Sequence, residues 1–220
     1  MKSISEILTR SPLFKGIAEN SIEPMLNCLR AREKNYSKNE YIFHAGASTA
    51  EIGIVLTGMV QIIKEDVWGN NTILAQLTEG MLFGEAFVIG NTDKIPVSVY
   101  SLQASRILFL DKEKTVTPCK AACEFHYNVS HNMLEILAQK NIFLTERMEH
   151  LSKRTLRDKV LSYLSDAAQK AGSREFTIPF DRQGLADYLA ADRSALSAVL
   201  GKLKDEEILD FKKNKFYLIN

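Results

Sequence analysis

Cysteine and long apolar runs are scarce in this chain, and each shortage argues against a class of protein. Three of the 220 residues are cysteine. So small and odd a number of cysteines argues against a disulfide-bonded secreted scaffold. No apolar run approaches the ~18 residues that a membrane-spanning helix needs, and the amphipathic first residues lack the apolar block of a secretory signal. We therefore expect a cytoplasmic protein without a membrane partner.

Motifs of catalysis are missing as well. The chain has no serine nucleophile elbow, no phosphate-binding P-loop and no His-Glu metalloprotease spacing. Its histidines stand apart from any nucleophile motif; they are His44, His126, His131 and His150. We expect that the protein is not an enzyme.

A strong excess of charge is also absent, but the charge is unevenly distributed. The formal net charge is +1. From Lys153 to the end, 13 basic residues face 10 acidic ones, a net of +3, whereas residues 1–152 carry −2. This asymmetry favours an anionic partner for the C-terminal part, although ordinary solvated surfaces vary by as much.

The hydrophobic pattern changes twice along the chain. Residues 1–30 have the pattern of short helices, with Ser21 as a candidate N-cap. From about residue 36 to residue 111, short apolar or alternating runs are separated by glycines, which predicts an antiparallel sandwich or barrel. The stretch "VWGNNT" (67–72) is typical of a hairpin tip, because Gly and Asn tolerate positive φ.

After Pro118 the period becomes helical, and one apolar seam stands out. Its six members alternate in spacing between three and four residues: Leu134, Leu137, Asn141, Leu144, Met148 and Leu151. An asparagine within such a seam pairs best with its own copy in a parallel, in-register dimer. The alternative is an amphipathic helix that lies on its own barrel.

The C-terminal part predicts a winged helix-turn-helix. An amphipathic helix from Lys153 to Gly172 and a short strand ("EFTIPF") precede two short helices in "LADYLAADRSALSAVLGKL" (185–203). A hairpin with a basic tip, Lys212–Lys215, follows. The second helix of such a unit enters the DNA major groove, and lysines on the wing pair with phosphates.

This order of segments resembles the CRP/FNR family of bacterial transcription regulators along essentially the whole chain. "GMVQIIKED" and "EGMLFGEAF" are similar to its cyclic-nucleotide-binding β-roll, with Gly58, Gly80 and Phe83-Gly84-Glu85 in place. "PVSVYSLQASRILFLD" resembles the segment that closes the roll, and "FDRQGLADYLAADRSALSAVLGKLKDEEIL" resembles the helix-turn-helix. The resemblance is not close to the cyclic AMP receptor or iron–sulfur subgroups.

The resemblance implies an α+β fold in three parts. These are a sensor domain with an antiparallel, jelly-roll-like β-roll (1–117), a dimerisation helix (118–152) and a winged helix-turn-helix (153–220). It also implies a homodimeric, sequence-specific regulator bound to palindromic double-stranded DNA, with half-sites about one helical turn apart. RNA polymerase would be a further partner. A different function also fits: a regulatory scaffold whose degenerate winged helix binds proteins.

The resemblance leaves the effector unknown. Members that bind cyclic AMP carry an arginine for the phosphate after the Gly-Glu pair, but "AFVIGNTDKIPVSVY" has none, and Pro96 stands near its expected place. This argues against cyclic AMP. The remaining effector-binding candidates are Gly84, Glu85 and Lys94, of which Lys94 would hold another anionic ligand. An iron–sulfur cluster needs about four thiolates, and the N-terminal part has only Cys28.

A second sensing chemistry remains open in "PCKAACEFHYNVSH". Cys119, Cys123 and His126 stand at i, i+4 and i+7 and would share one helical face. Two thiolates and an imidazole could bind a soft metal or sense thiol oxidation. The alternative is that both cysteines are small apolar residues packed against the β-roll.

The DNA-contacting residues follow from the resemblance and from side-chain chemistry. Arg193 is the long donor near the start of the second helix, and it would contact a guanine edge or a phosphate. Ala198 occupies the position where relatives often have arginine, and Asp192 is the predicted N-cap. The predicted contact residues are Arg182, Gln183, Arg193, Ser194, Ser197, Lys212, Lys213 and Lys215. The predicted core of the helix pair is Leu185, Leu189, Leu196, Val199, Leu200 and Leu203.

Overall fold

The structure is a computed structural model that describes residues 3–117 and 124–219. It divides into two compact units, one up to Ala138 and one from Gln139 onward. Within the described residues, no helix is long and apolar enough to cross a membrane.

Short helices open the N-terminal unit. They are α1 (Ile4–Leu8), a 3₁₀ helix (Pro12–Phe14) and α2 (Glu19–Cys28). The predicted N-cap of α2 was wrong, because the helix begins two residues earlier than Ser21 and Ala18 occupies the cap with extended backbone and no side-chain hydrogen bond. A helix start therefore formed without the polar cap on which the prediction depended.

Eight antiparallel strands form the predicted β-roll as two four-stranded sheets. The order in the first sheet is β1-β8-β3-β6, and in the second it is β2-β7-β4-β5. The strands are β1 (Arg32–Tyr36), β2 (Tyr41–Phe43), β3 (Glu51–Thr57), β4 (Val60–Glu65), β5 (Asn71–Leu77), β6 (Leu82–Phe83), β7 (Ser98–Ser101) and β8 (Ser105–Asp111).

Two apolar clusters stabilise this unit. The first fills the roll between the two sheets and includes Tyr36, Val55, Val99 and Phe109. The second packs the first sheet against the N-terminal helices and the beginning of a long helix, α5 (Glu124–Ser152). Burial of this apolar surface is the main favourable contribution to folding.

The beginning of α5 is anchored by one buried amide. Asn132 donates hydrogen bonds of 2.9 Å to the carbonyl oxygens of both Leu13 and Lys15. Lys15 also pairs with Glu135, its Nζ lying 3.0 Å from a carboxylate oxygen. The 3₁₀ segment is thereby held against α5.

Two further short helices, α3 (Glu85–Ile89) and α4 (Lys112–Val116), complete the unit.

The C-terminal unit is a winged helix-turn-helix, as the sequence predicted. It contains the last part of α5, then α6 (Leu156–Ala171), β9 (Glu175–Thr177), α7 (Arg182–Tyr188), α8 (Arg193–Asp205), β10 (Leu209–Lys212) and β11 (Lys215–Leu218). The strands form an antiparallel sheet in the order β10-β11-β9.

Gly172 ends α6 as the pattern predicted. It adopts a φ of 62°, the left-handed conformation that favours glycine at a helix C-terminus. The predicted core of the helix pair is also confirmed: its five leucines are at most 1% exposed, and Val199 is half-buried against them. This core fixes which face of α8 points outward.

Candidate nucleic-acid interface and sensor site

The exposed face of α8 carries the predicted reading residues. Arg193, Ser194 and Ser197 are exposed, as are Ala195 and Ala198. On this face, the Ser197 hydroxyl donates a 2.8 Å hydrogen bond to the carbonyl of Arg193. The N-terminal part of this face is therefore short of long polar groups and carries one guanidinium, that of Arg193.

Both helices of the pair begin at an aspartate, but the two aspartates differ. Asp181 caps α7, because its carboxylate accepts a 2.7 Å hydrogen bond from the amide of Gly184. Asp192 occupies the predicted N-cap position of α8 with extended backbone, yet it makes no side-chain capping hydrogen bond. The first amides of α8 are thus not engaged by the Asp192 carboxylate.

Arg182 connects the start of α7 with the wing. Its guanidinium carbon lies 4.8 Å from the centre of the Phe211 ring, on β10. Partial burial lowers the pKa of Arg182, and the positive charge of Arg193 lowers it further. The two arginines therefore share one positive local field, which favours an anion close to both of them.

A groove of about 560 Å³ brings these elements together. Its lining includes Arg182 and Gln183 of α7, Arg193 of α8, and Lys213 and Asn214 at the tip of the wing. Four of the eight predicted DNA contacts, from three separate elements, thus surround one concave surface. Three of them are cationic, so the groove can attract a phosphate backbone.

Two hydrogen bonds hold the basic tip of the wing in place. Lys213 adopts a φ of 57° at the turn. The Asn214 amide donates a 3.1 Å hydrogen bond to the carbonyl of Ile178, whose own amide donates to the Asn214 carbonyl at 2.9 Å. These two contacts hold the exposed Lys213 at the groove. Lys212, the preceding residue, is exposed as well.

Two of the predicted contacts, Gln183 and Lys215, already have protein partners. The Gln183 amide donates a 2.8 Å hydrogen bond to Asp187, one turn along α7. Lys215 forms an ion pair with Glu175 of the neighbouring strand. Each of these side chains would exchange that partner for a phosphate if it contacted DNA.

Sequence reasoning missed Arg147 and His150, which tie α5 to α7. Arg147 donates from Nε to the carbonyl of Tyr188 and from Nη2 to that of Asp187, each at 3.0 Å. Imidazole Nδ1 of His150 lies 3.0 Å from the Tyr188 hydroxyl, and Nε2 lies 2.9 Å from Asp166. The partners of Arg147 are about 40 residues away, so no local pattern could reveal them.

In the sensor domain, the predicted effector residues lie around α3. Gly84 is the N-cap of α3 with a φ of 82°, and a side chain there would come within 3.2 Å of the Phe43 ring. Glu85 is 3% exposed at the first position of the helix. Lys94 lies in the exposed segment between α3 and β7. Glu85 is therefore a buried carboxylate, whereas Lys94 is a solvated cation.

The cysteine hypothesis falls largely outside the described residues, because these do not include Cys119 and Cys123. His126 is 1% exposed near the start of α5. Among the residues that the structure describes, no group of three His, Cys, Asp or Glu side chains is arranged to hold a metal ion.

The apolar seam of α5 is only partly covered within each unit. Leu134 and Met148 are each 67% exposed, and Leu144 is 59% exposed. Asn141 is exposed as well, whereas Leu137 packs partly against the core of the N-terminal unit. Leu151 is half-buried. Large exposed apolar side chains at this spacing are typical of a helix that binds a partner helix.

Comparison with known proteins agrees with this architecture. Residues 33–119 match the cyclic nucleotide-binding domain, and residues 158–220 match the Crp-like helix-turn-helix domain. The chain belongs to the CRP/FNR family. It is a transcription regulator with a cyclic-nucleotide-binding-type sensor domain and a DNA-binding helix-turn-helix domain.

The similarity to individual family members is low. The cyclic AMP receptor protein of Thermus thermophilus is 24% identical over 199 residues, which cover 90% of this chain and 88% of that protein. The structure of CprK complexed with OCPA is 17% identical with a TM-score of 0.61, covering 90% of this chain and 92% of that one.

A third relative is the regulator CLP of Xanthomonas campestris, described as responsive to c-di-GMP. Its structure is 17% identical in sequence with a TM-score of 0.56, and the match covers 92% of this chain and 100% of that one. At 17% identity, the structures of CprK and CLP show a shared fold and no more.

Proposed function

We propose that the protein is a homodimer that binds palindromic DNA, with α8 of each subunit in the major groove of one half-site. The groove between α7, α8 and the wing carries this proposal, since it places Arg182, Arg193 and Lys213 around one concave surface. Phosphate contacts by Arg182 and the wing lysines set the register, and the exposed face of α8 reads the bases.

Arg193 supplies most of the direct base readout in this proposal. Ser194 and Ser197 add short contacts, and Ala195 packs on a thymine methyl group. Because Ala198 replaces the arginine of many relatives, the preferred half-site differs from theirs. Binding to DNA places this dimer where it can contact RNA polymerase, which is the expected further partner.

Selection from random DNA, followed by measured affinities for single-base variants, tests the role of Arg193. Arg193→Ala should relax preference at one base pair per half-site, a loss of about 1–3 kcal/mol of discrimination. Lys213→Ala is the control: it should weaken binding to all sequences alike and lower the salt dependence by about one phosphate contact. A uniform loss of affinity in Arg193→Ala would instead assign Arg193 to a phosphate.

The exposed apolar seam of α5 forms the dimer contact in this proposal. Leu144→Glu introduces a charge at the centre of the seam, and its uncompensated burial in a dimer is costly. We expect this variant to sediment as a monomer and to lose DNA affinity. Gln139→Glu is the control, because Gln139 is exposed and lies outside the seam. A Leu144→Glu variant that sediments as the wild-type dimer would show that the seam is not the interface.

In this proposal an effector other than cyclic AMP binds the sensor domain, and an anionic ligand that contacts Lys94 is one candidate. The T. thermophilus relative is named for cyclic AMP. Here the segment from Ala86 to Tyr100 contains no arginine to hold a cyclic phosphate. Lys94 is the cation of that segment, and its exposure leaves it accessible to a ligand.

A further inference from the structure

The C-terminal unit contains a cavity of about 390 Å³ that the DNA-binding face does not use. The last part of α5, α6, α7 and the segment that follows β9 form its walls. This volume lies at the lower end of the ~300–1,000 Å³ typical of small-molecule sites.

Aromatic rings form much of the cavity wall. Phe143, Tyr163, Phe180 and Tyr188 all line it. The Tyr188 ring centre lies 5.8, 5.2 and 5.1 Å from those of Phe143, Tyr163 and Phe180 respectively, so the four rings form one connected surface. Phe143 is 46% exposed even though its ring packs on Tyr188. The faces of such rings carry partial negative charge.

The same cavity is also lined by two carboxylate side chains. Glu146 and Asp166 contribute carboxylates whose side chains are 29% and 34% exposed. Glu146 pairs with Lys170 at 2.6 Å, and Asp166 accepts from Nε2 of His150 at 2.9 Å. Nδ1 of His150 lies 3.0 Å from the Tyr188 hydroxyl. The cavity lining thus contains two carboxylates, Glu146 and Asp166, and the ammonium group of Lys170.

The two phenol groups of the cavity, Tyr163 and Tyr188, have raised pKa values. Burial raises the pKa of Tyr163 to about 12. Burial also raises the pKa of Tyr188; the negative charge of Glu146 adds to this, Arg147 opposes it, and Asp166 contributes a smaller increase. Burial disfavours a charge of either sign, so only the contributions of Glu146 and Asp166 to the pKa of Tyr188 reflect the negative charge of these carboxylates.

We propose that this cavity is a binding site for a small aromatic or hydrocarbon molecule that carries an ammonium group. The rings receive the apolar body of the ligand and attract the cation through their faces. The carboxylates of Glu146 and Asp166 accept its N–H groups. The site lies within the C-terminal unit and outside the β-roll.

Calorimetric titration of the full-length protein with three matched probes tests this proposal. Tryptamine, indole-3-ethanol and indole-3-propionate share an indole ring and differ in charge. We expect tryptamine to bind about tenfold more tightly than indole-3-ethanol, and indole-3-propionate to bind most weakly. Glu146→Gln should weaken tryptamine binding about fivefold, because it removes one partly exposed charge.

A pair of tryptophan variants shows whether binding occurs in this cavity. Ala171→Trp places an indole at the cavity lining, whereas Ser165→Trp places one on an exposed part of α6 outside it. The first should abolish tryptamine binding, and the second should leave it unchanged. The proposal is overturned if the three probes bind equally, if none binds at millimolar concentration, or if Ala171→Trp still binds tryptamine. Should Ala171→Trp not fold, Glu146→Gln decides alone.

Discussion

Arg147 provides a quantitative test of how the last part of α5 supports the helix-turn-helix. Its guanidinium donates two hydrogen bonds of 3.0 Å to the C-terminal carbonyls of α7, and it lies 5.4 Å from the Tyr188 ring centre. Hydrogen bonds from a charged donor contribute about 1.5–3 kcal/mol when buried. Because Arg147 is half-buried, we expect Arg147→Met to cost about 2 kcal/mol in all.

Hydrogen exchange is the appropriate assay, since the only tryptophan, Trp68, lies in the other unit. A loss of about 2 kcal/mol corresponds to roughly 30-fold faster exchange of the α7 and α8 amides that open with the unit. Arg147→Lys keeps the charge but not the planar fork, so its effect should be intermediate.

Arg154→Met is the matched control for this prediction. Arg154 is exposed in the short segment between α5 and α6. Its replacement should leave exchange in α7 unchanged. If the α7 and α8 amides of Arg147→Met exchanged within about threefold of the wild-type rate, the stabilising role of Arg147 would be refuted, because a threefold change corresponds to under about 1 kcal/mol.

Two further predictions concern Tyr163 and the effector. Because burial raises the pKa of Tyr163 to about 12, the folded unit favours the neutral phenol, and its free energy of unfolding should fall as pH rises from about 10 to about 12. In Tyr163→Phe, the fall in the free energy of unfolding that is due to Tyr163 should disappear, as urea unfolding at about pH 9 and about pH 11 would show. If the free energy of unfolding of this variant fell as much as that of the wild type, Tyr163 would not be the group with the raised pKa. Calorimetry should detect no binding of cyclic AMP at millimolar concentration, and a saturable isotherm would show that the loop without arginine can still hold the cyclic phosphate.

Residue spacing alone predicted the main elements correctly. The leucines of α8 are three and four residues apart, so they share one helical face, and that face is buried. The left-handed conformation at Gly172 follows from the absence of a side chain. These properties depend on residues within one or two turns of each other, which is why the sequence was sufficient.

The candidate DNA interface was predictable as a set of residues but not as a surface. Basic residues on three elements were identifiable from their chemistry. Their arrangement around one groove, and the packing of Arg182 on Phe211, depend on how β10 returns beside α7. Spacing along the chain cannot specify such a contact, because the two residues are on different elements and share no local period.

The sequence by itself determined the order of elements, the faces of the helices and the family of the protein. Only the tertiary structure decided which polar groups satisfy one another. Arg147 meets carbonyls of α7, and His150 meets Asp166 and Tyr188, across separations of 16 to 41 residues. Local periodicity encodes which side of a helix is buried, whereas a hydrogen bond between distant segments exists only once packing has brought donor and acceptor within about 3 Å.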